Sequence, residues 1–207
     1  MLFFHYVYLE QANVFLTAFV YALPTCRCYT NSSWVFLSTI SIYSTIEAMR
    51  FKKRVYDRPR DFFASLYFLI KNQQNLRRAT REGLISPAFK ERLLMAVTSV
   101  NGCRYCSYVH TREALKNGVT REELVSIISH DAERYPEEEA IAITYAQHWA
   151  ESNGNPALDA VQKLEQVYGT EKTEAINLIL RTIHFSNLMG NSFDYLLYRI
   201  SFGRRGA

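Results

Sequence analysis

Cysteine is scarce in this chain: four residues in 207, in two close pairs, Cys26 with Cys28 and Cys103 with Cys106. A small secreted domain held by disulfides carries more cysteines in a shorter chain, so a stapled scaffold is excluded. Strict two-residue alternation and hairpin dipeptides are missing, which argues against a sheet-based fold. The start lacks a basic n-region and a small-residue cleavage site, so a signal peptide is a poor fit. No recognition motif or interleaving of basic and stacking aromatic residues is found, and nucleic acid is not an expected partner. Low-complexity segments are absent.

What is present describes a folded protein. Hydrophobic residues make up 48% and charged residues 21% of the chain, as in globular domains. The formal charge is +4. Much of this excess sits in Arg50, Lys52, Lys53, Arg54, Arg58 and Arg60. Such a cluster reads first as a solvated face and second as a surface toward phosphates or an anionic membrane.

Composition changes near residue 50. Residues 1–49 are apolar and aromatic, with runs at Val14 to Leu23 and Trp34 to Ile46 separated by Pro24 and a polar stretch. Neither run reaches the roughly 20 apolar residues of a spanning helix without including polar or charged side chains. Three readings of this extension stand side by side. It is a membrane anchor with the basic cluster on the cytoplasmic side, a helical arm packed on a partner, or sequence upstream of a start at Met49. The expected organisation is therefore an apolar extension over 1–49 and a compact all-α domain over 50–207. The expected location is the cytoplasm, with membrane association resting on residues 1–49.

From residue 50 the pattern is helical. Asp61 to Asn72 is apolar enough for a buried helix. Ser86-Pro87 opens the next, where Phe89, Leu93, Ala96, Val97 and Val100 form one stripe. A helix from about Cys103 to Lys116 ends at Gly118. Thr120 and Glu123 have capping-box spacing. Pro136 with Glu137, Glu138 and Glu139 predicts a helix start, because carboxylates suit an N-terminus; that helix runs to about Glu151. Pro156 to Tyr168 is short and stops at Gly169. Thr170 begins a long helix through Ile183, and Phe193 to Ile200 is a last apolar stretch.

The chemistry-bearing stretch runs from Glu91 to His110. On a helix, Cys103, Cys106 and His110 stand at i, i+3 and i+7, on one face. Cysteines three apart on a helix lie within disulfide reach. A helix N-terminus favours thiolate, which points to Cys103. A base within reach points instead to Cys106, because His110 is one turn on while Cys103 is about 10 Å away along the axis. The base argument is given precedence: Cys106 is assigned as the attacking thiolate and Cys103 as the resolving thiol. Glu91, on the preceding helix, orients His110 or passes protons to it if the two helices pack antiparallel.

The series Glu91, eleven residues, Cys103, two residues, Cys106, three residues, His110 resembles the active-site signature of the alkylhydroperoxidase D family. That family lies within the carboxymuconolactone decarboxylase-like superfamily. Leu94-Met95-Ala96-Val97 and Thr111-Arg112-Glu113-Ala114-Leu115 have the same character, and the likeness extends over roughly residues 60–200. It implies an all-α fold, a homo-oligomer, and a peroxiredoxin-type antioxidant enzyme that reduces a hydroperoxide substrate. In this scheme the second cysteine is peroxidatic, an external dithiol restores the pair, and no metal, haem or flavin cofactor is needed. The chain departs from the best-known members in having Tyr105, where they carry a relay histidine before the second cysteine. An unperturbed pKa near 10 makes a tyrosine a poor base at neutral pH.

Blander readings run alongside. The pair reads also as a general thiol–disulfide oxidoreductase, as packed free thiols, or as part of a structural zinc site completed by His130, His184 or Glu91. His184, Asn187 and Asn191, at i, i+3 and i+7, are expected either to line a pocket or to be satisfied polar groups of the core. His130 and His148 read as helix-surface residues, and Cys26 and Cys28 as free thiols.

Overall fold

The computed structural model describes residues 51–81 and 83–206, and the expectations for residues 1–49 lie outside these. The described residues form seven α-helices and one short 3₁₀ turn, with no strand. The helices are α1 (Pro59–Lys71), α2 (Gln73–Arg81), α3 (Pro87–Asn101), α4 (Arg104–Lys116), α5 (Arg121–Ser129), α6 (Ala140–Glu151) and α7 (Leu158–Ile200). Among the described residues no helix is long and apolar enough to cross a membrane.

Helix α3 is the centre, with α4, α5, α6 and α7 packed around it. Its ends are set locally. Ser86 Oγ accepts from the Phe89 amide, Pro87 fills the first turn, and Gly102 closes the helix in the left-handed region at φ 70°, a conformation glycine adopts without the steric cost of a Cβ. Leu93, Ala96 and Val97 are fully enclosed against Ile143, Ile176 and Leu180. Burying a side chain of this size stabilises by about 1.5–3 kcal/mol. A Leu93→Ala exchange at the centre costs about 2–5 kcal/mol.

Most helix boundaries follow the sequence signals. The Thr120–Glu123 capping box is present in both directions. Four features differ. Asp61 to Asn72, expected as a buried helix, lies mostly in α1, none of whose residues is buried. Pro136 to Glu139 is a hydrogen-bonded turn, Glu139 N donating to Pro136 O at 2.9 Å, and helix α6 begins only at Ala140. Helix α2 escaped notice because its sequence, QQNLRRATR, offers no apolar stripe beyond Leu76 and Ala79. Phe193 to Ile200 is the end of α7, which runs on from Thr170 after a break at Gly169, where φ is 72°.

The basic cluster is in part turned inward. Arg54 donates through Nη1 to the Ala150 carbonyl and through Nη2 to that of Glu151 at 3.2 Å, closing the C-terminal end of α6. Carbonyls left free at a helix end attract such a cation. Arg92 joins three helices: its guanidinium bonds Glu123 at the start of α5 and Glu139 before α6, both at 3.1 Å.

A polar seam joins α3 to α7 inside the core. Thr98 and Asn187 exchange hydrogen bonds at 3.2 Å. Asn191 Nδ2 donates to the Asn101 carbonyl at 2.8 Å and to the Arg54 carbonyl at 2.9 Å. Asn101 Nδ2 lies 3.1 Å from His184 Nδ1. An amide nitrogen offers only protons, so His184 accepts there and is neutral with its proton on Nε2. His184, Asn187 and Asn191 thus serve the core, and His184 also borders a cavity. His130 and His148 are not bare surface residues either. His130 is the left-handed cap of α5 with its ring 3.3 Å from Ser99 Oγ, and His148 Nε2 accepts from the Ala157 amide.

Burial, with the charges of Arg54 and Arg181, holds the His184 pKa down to about 4. The unfolded chain therefore takes up this proton near pH 6.5, whereas the folded chain resists until about 4. Stability falls as pH drops through that window, by about 3 kcal/mol from this group. Urea denaturation at about pH 7 and about pH 4.5 should show the loss in the native chain and a flatter profile in His184→Gln. An equally steep decline in the variant would place the acid sensitivity elsewhere.

Candidate active site

Helix α4 begins at the cysteine pair. Cys103 is its N-cap residue, with extended backbone, and its sulfur accepts from the Cys106 amide at 3.4 Å. The two sulfurs are 2.8 Å apart and both are free thiols, well beyond the roughly 2.05 Å of a disulfide bond. Both are buried, Cys103 at 1% exposure and Cys106 at 9%. Cys106 is the more exposed residue of the two.

Either thiol can donate across the contact, and the backbone decides which does. The Cys103 sulfur receives the Cys106 thiol and the amides of Cys106 and Tyr105, which together outweigh burial and the repulsion of Asp194 and lower its pKa. Cys106 is pushed up by its bond to Cys103, by burial and by the charge on that sulfur. In the resting dithiol the proton sits on Cys106 and the negative charge is favoured on Cys103. This is the helix-terminus effect on a capping sulfur.

Helices α3 and α4 pack together and bring Glu91 to His110. Glu91 Oε2 accepts from His110 Nδ1 at 2.9 Å, and Lys90 Nζ lies 3.2 Å from Glu91 Oε1. Glu91 is 3% exposed. Burial alone would raise its pKa, but the bond and charge of His110, with Lys90, hold it below the usual carboxylate range. An ionised Glu91 keeps the His110 proton on Nδ1 and leaves Nε2 as the basic atom. His110 stands one turn beyond Cys106 on α4, a rise of about 6 Å. No direct hydrogen bond links the two among the described residues.

A second cluster, unforeseen from the sequence, holds the start of α4. Asp194 on α7 has no exposed surface and accepts three bonds. Lys53 Nζ reaches Oδ2 at 2.8 Å, while Arg104 Nη2 and Tyr105 Oη reach Oδ1 at 2.7 and 2.8 Å. One signal was available: Asp194 is the only acidic residue after Glu174 and lies in an apolar stretch. A carboxylate so placed needs cations. Burial and the adjacent Asp194 raise the Tyr105 pKa, so this residue remains a phenol that donates. Gly190, one turn before Asp194, lets the sulfur approach, since a Cβ there would lie 3.0 Å from Cys103 Sγ.

The sequence suggested His130, His184 or Glu91 as a further zinc ligand. They are bonded instead to Ser99, Asn101 and His110. Among the described residues no group of three or more His, Cys, Asp or Glu is arranged to hold a metal ion.

This geometry can be set beside known proteins. Residues 69–151, from the last turn of α1 to the end of α6, match the model of the carboxymuconolactone decarboxylase family. Glu91, Cys103, Cys106 and His110 all fall inside the matched stretch. An uncharacterized protein of Cupriavidus necator is 33% identical over 58 residues, which cover 28% of this chain and 51% of that protein. The chain thus spans about half the length of this relative. No solved structure matches it.

Removing the Asp194 side chain leaves Lys53 and Arg104 without their shared anion. Asp194→Ala should lower stability by about 2–4 kcal/mol, less than for a fully enclosed pair because Arg104 is half exposed. Urea denaturation measures this directly. In Asp194→Asn the lost charge also lowers the Cys103 pKa, so alkylation by iodoacetamide near neutral pH should speed up. Unchanged stability and reactivity in both variants would show that the cluster neither anchors nor tunes the pair.

Proposed function

We propose that this protein is a thiol-dependent peroxidase of the alkylhydroperoxidase D-like type, reducing hydroperoxides through Cys103 and Cys106. One observation carries the reading: two free sulfurs 2.8 Å apart at a helix N-terminus, with a carboxylate-bound histidine one turn along the same helix. The family match supports it coarsely, since it covers the four residues without distinguishing peroxidase from decarboxylase.

Cys106 is the attacking sulfur in this scheme because it is the more accessible of the two. The Cys103 thiolate accepts its proton as it attacks the terminal peroxide oxygen. The O–O bond breaks, Cys106 becomes a sulfenic acid, and the alkoxide leaves as an alcohol with a solvent proton passed through His110 Nε2, the ring oriented by Glu91. Cys103 then attacks the sulfenic sulfur, and its proton goes to the departing hydroxide, which leaves as water. In sum, two thiols and one hydroperoxide give a disulfide, an alcohol and water. An external dithiol reduces the disulfide. Oligomer formation belongs to the same reading, and the exposed Phe63, Tyr67 and Ile70 on α1 offer an apolar face for it.

A second reading, thiol–disulfide exchange at the same pair, is favoured by Tyr105. Its hydroxyl is committed to Asp194, so it adds no base to a peroxide relay.

Thiol titration before and after one equivalent of cumene hydroperoxide tests the first reading. Two thiols per chain should disappear and return with dithiothreitol. Cys106→Ser should abolish turnover, and Cys103→Ser should stop at a sulfenic acid on residue 106, trapped by dimedone. Sulfenic acid on Cys103 in the Cys106→Ser variant would reverse the assignment. Thiols that survive peroxide but oxidise with a small disulfide would leave only the exchange reading.

A further inference from the structure

Away from the cysteines the described chain encloses a cavity of about 620 Å³, bordered by residues 55–58, α1, the loop after α6 and α7. Glu91, Cys103, Cys106 and His110 do not line it. Clefts of about 300–1,000 Å³ commonly take small organic ligands. The chemistry of the lining narrows the class.

Two carboxylates border the cavity, Asp57 and Asp61. Asp61 is engaged with Arg58 at 3.2 Å and Arg60 at 3.7 Å. Arg181 differs from those arginines. Its guanidinium lies over the Phe68 ring, 4.7 Å from the centroid, and pairs with no carboxylate among the described residues. A ring against it limits where the guanidinium can sit, and its planar fork of donors suits a planar, bidentate acceptor. The Tyr56 hydroxyl is enclosed beside Ser65 without a well-formed hydrogen bond. Neutral His184 lies within the fields of Arg54 and Arg181, so the potential around it is positive. Phe68, Trp149 and Leu188 contribute apolar surface. One guanidinium without a carboxylate partner, on a lining that also holds Asp57, suits a single negative charge better than a polyphosphate.

We propose that this cavity binds a monocarboxylate with an apolar body, its carboxylate held by Arg181 and its carbon skeleton by Phe68, Trp149 and Leu188. The site is separate from the thiol pair, and its occupancy does not depend on the peroxidase reading.

Calorimetric titration of the full chain with 1-naphthylacetate and octanoate tests this, with 1-naphthylacetamide as the uncharged isostere. At least one acid should bind at millimolar concentration or tighter, with the amide about tenfold weaker or more. Arg181→Gln, an exchange at an exposed helix position, should cost the acid about tenfold or more while leaving the melting temperature in place. Ala64→Trp, also at an exposed position bordering the cavity, should block binding by filling it. Failure of both acids to bind at millimolar concentration would overturn the proposal. So would equal affinity for acid and amide, or undiminished binding in Arg181→Gln.

Discussion

The arrangement turns on how α7 holds the first residues of α4. Gly190 leaves room for the Cys103 sulfur against the α7 backbone. One turn on, Asp194 binds the next two residues of the chain, Arg104 and Tyr105. A helix N-terminus is held in space by its cap and by its packing. Here the cap is the Cys103 sulfur itself, so whatever fixes the start of α4 also fixes the geometry of the cysteine pair. The polar seam of Thr98, Asn101, Asn187 and Asn191 sets the distance between α3 and α7. That seam makes the Gly190 contact specific rather than approximate.

Two opposing electrostatic effects meet at Cys103. Amides and the Cys106 thiol stabilise negative charge there, while burial and Asp194 oppose it. Asp194 is itself bonded to Lys53, Arg104 and Tyr105, and that blunts its repulsion. The same carboxylate that orders the helix start therefore raises the Cys103 pKa only as one of several effects. The sulfur on which charge is favoured belongs to Cys103, and Cys106 is the more exposed residue of the pair. Glu91 and His110, on the far side of the first turn, form a second buried donor–acceptor pair.

The sequence made the local features legible. The helix starts at Ser86-Pro87 and Thr120 and the break at Gly169 each depend on one or two residues with a stated conformational preference. The cysteine pair and His110 share a helix, so their spacing alone places them together. Glu91 required only that neighbouring helices pack. Lys53 and Asp194 are 141 positions apart, and no local pattern links them. Lys53 looked like one more charge in a basic run, and Asp194 like an interruption in an apolar tail. Helix α2 was missed for a different reason: its residues are mostly polar, and only Leu76 and Ala79 supply apolar surface where it packs on α7.

The family match ends at residue 151, before α7 begins. The four motif residues lie within it, whereas Gly190 and Asp194, which hold the Cys103 end of the pair, lie beyond. So do Arg181 and His184, which border the cavity. The matched region therefore contains the four motif residues, and the unmatched helix supplies the groups that surround the Cys103 end of the pair. Chains that share the matched part but differ along α7 would keep the thiols and lose the carboxylate that meets Tyr105. A motif by itself consequently specifies a kind of chemistry. The rate and partner choice of that chemistry depend on side chains contributed from outside the motif, because proton position at buried thiols follows the nearest charges and donors.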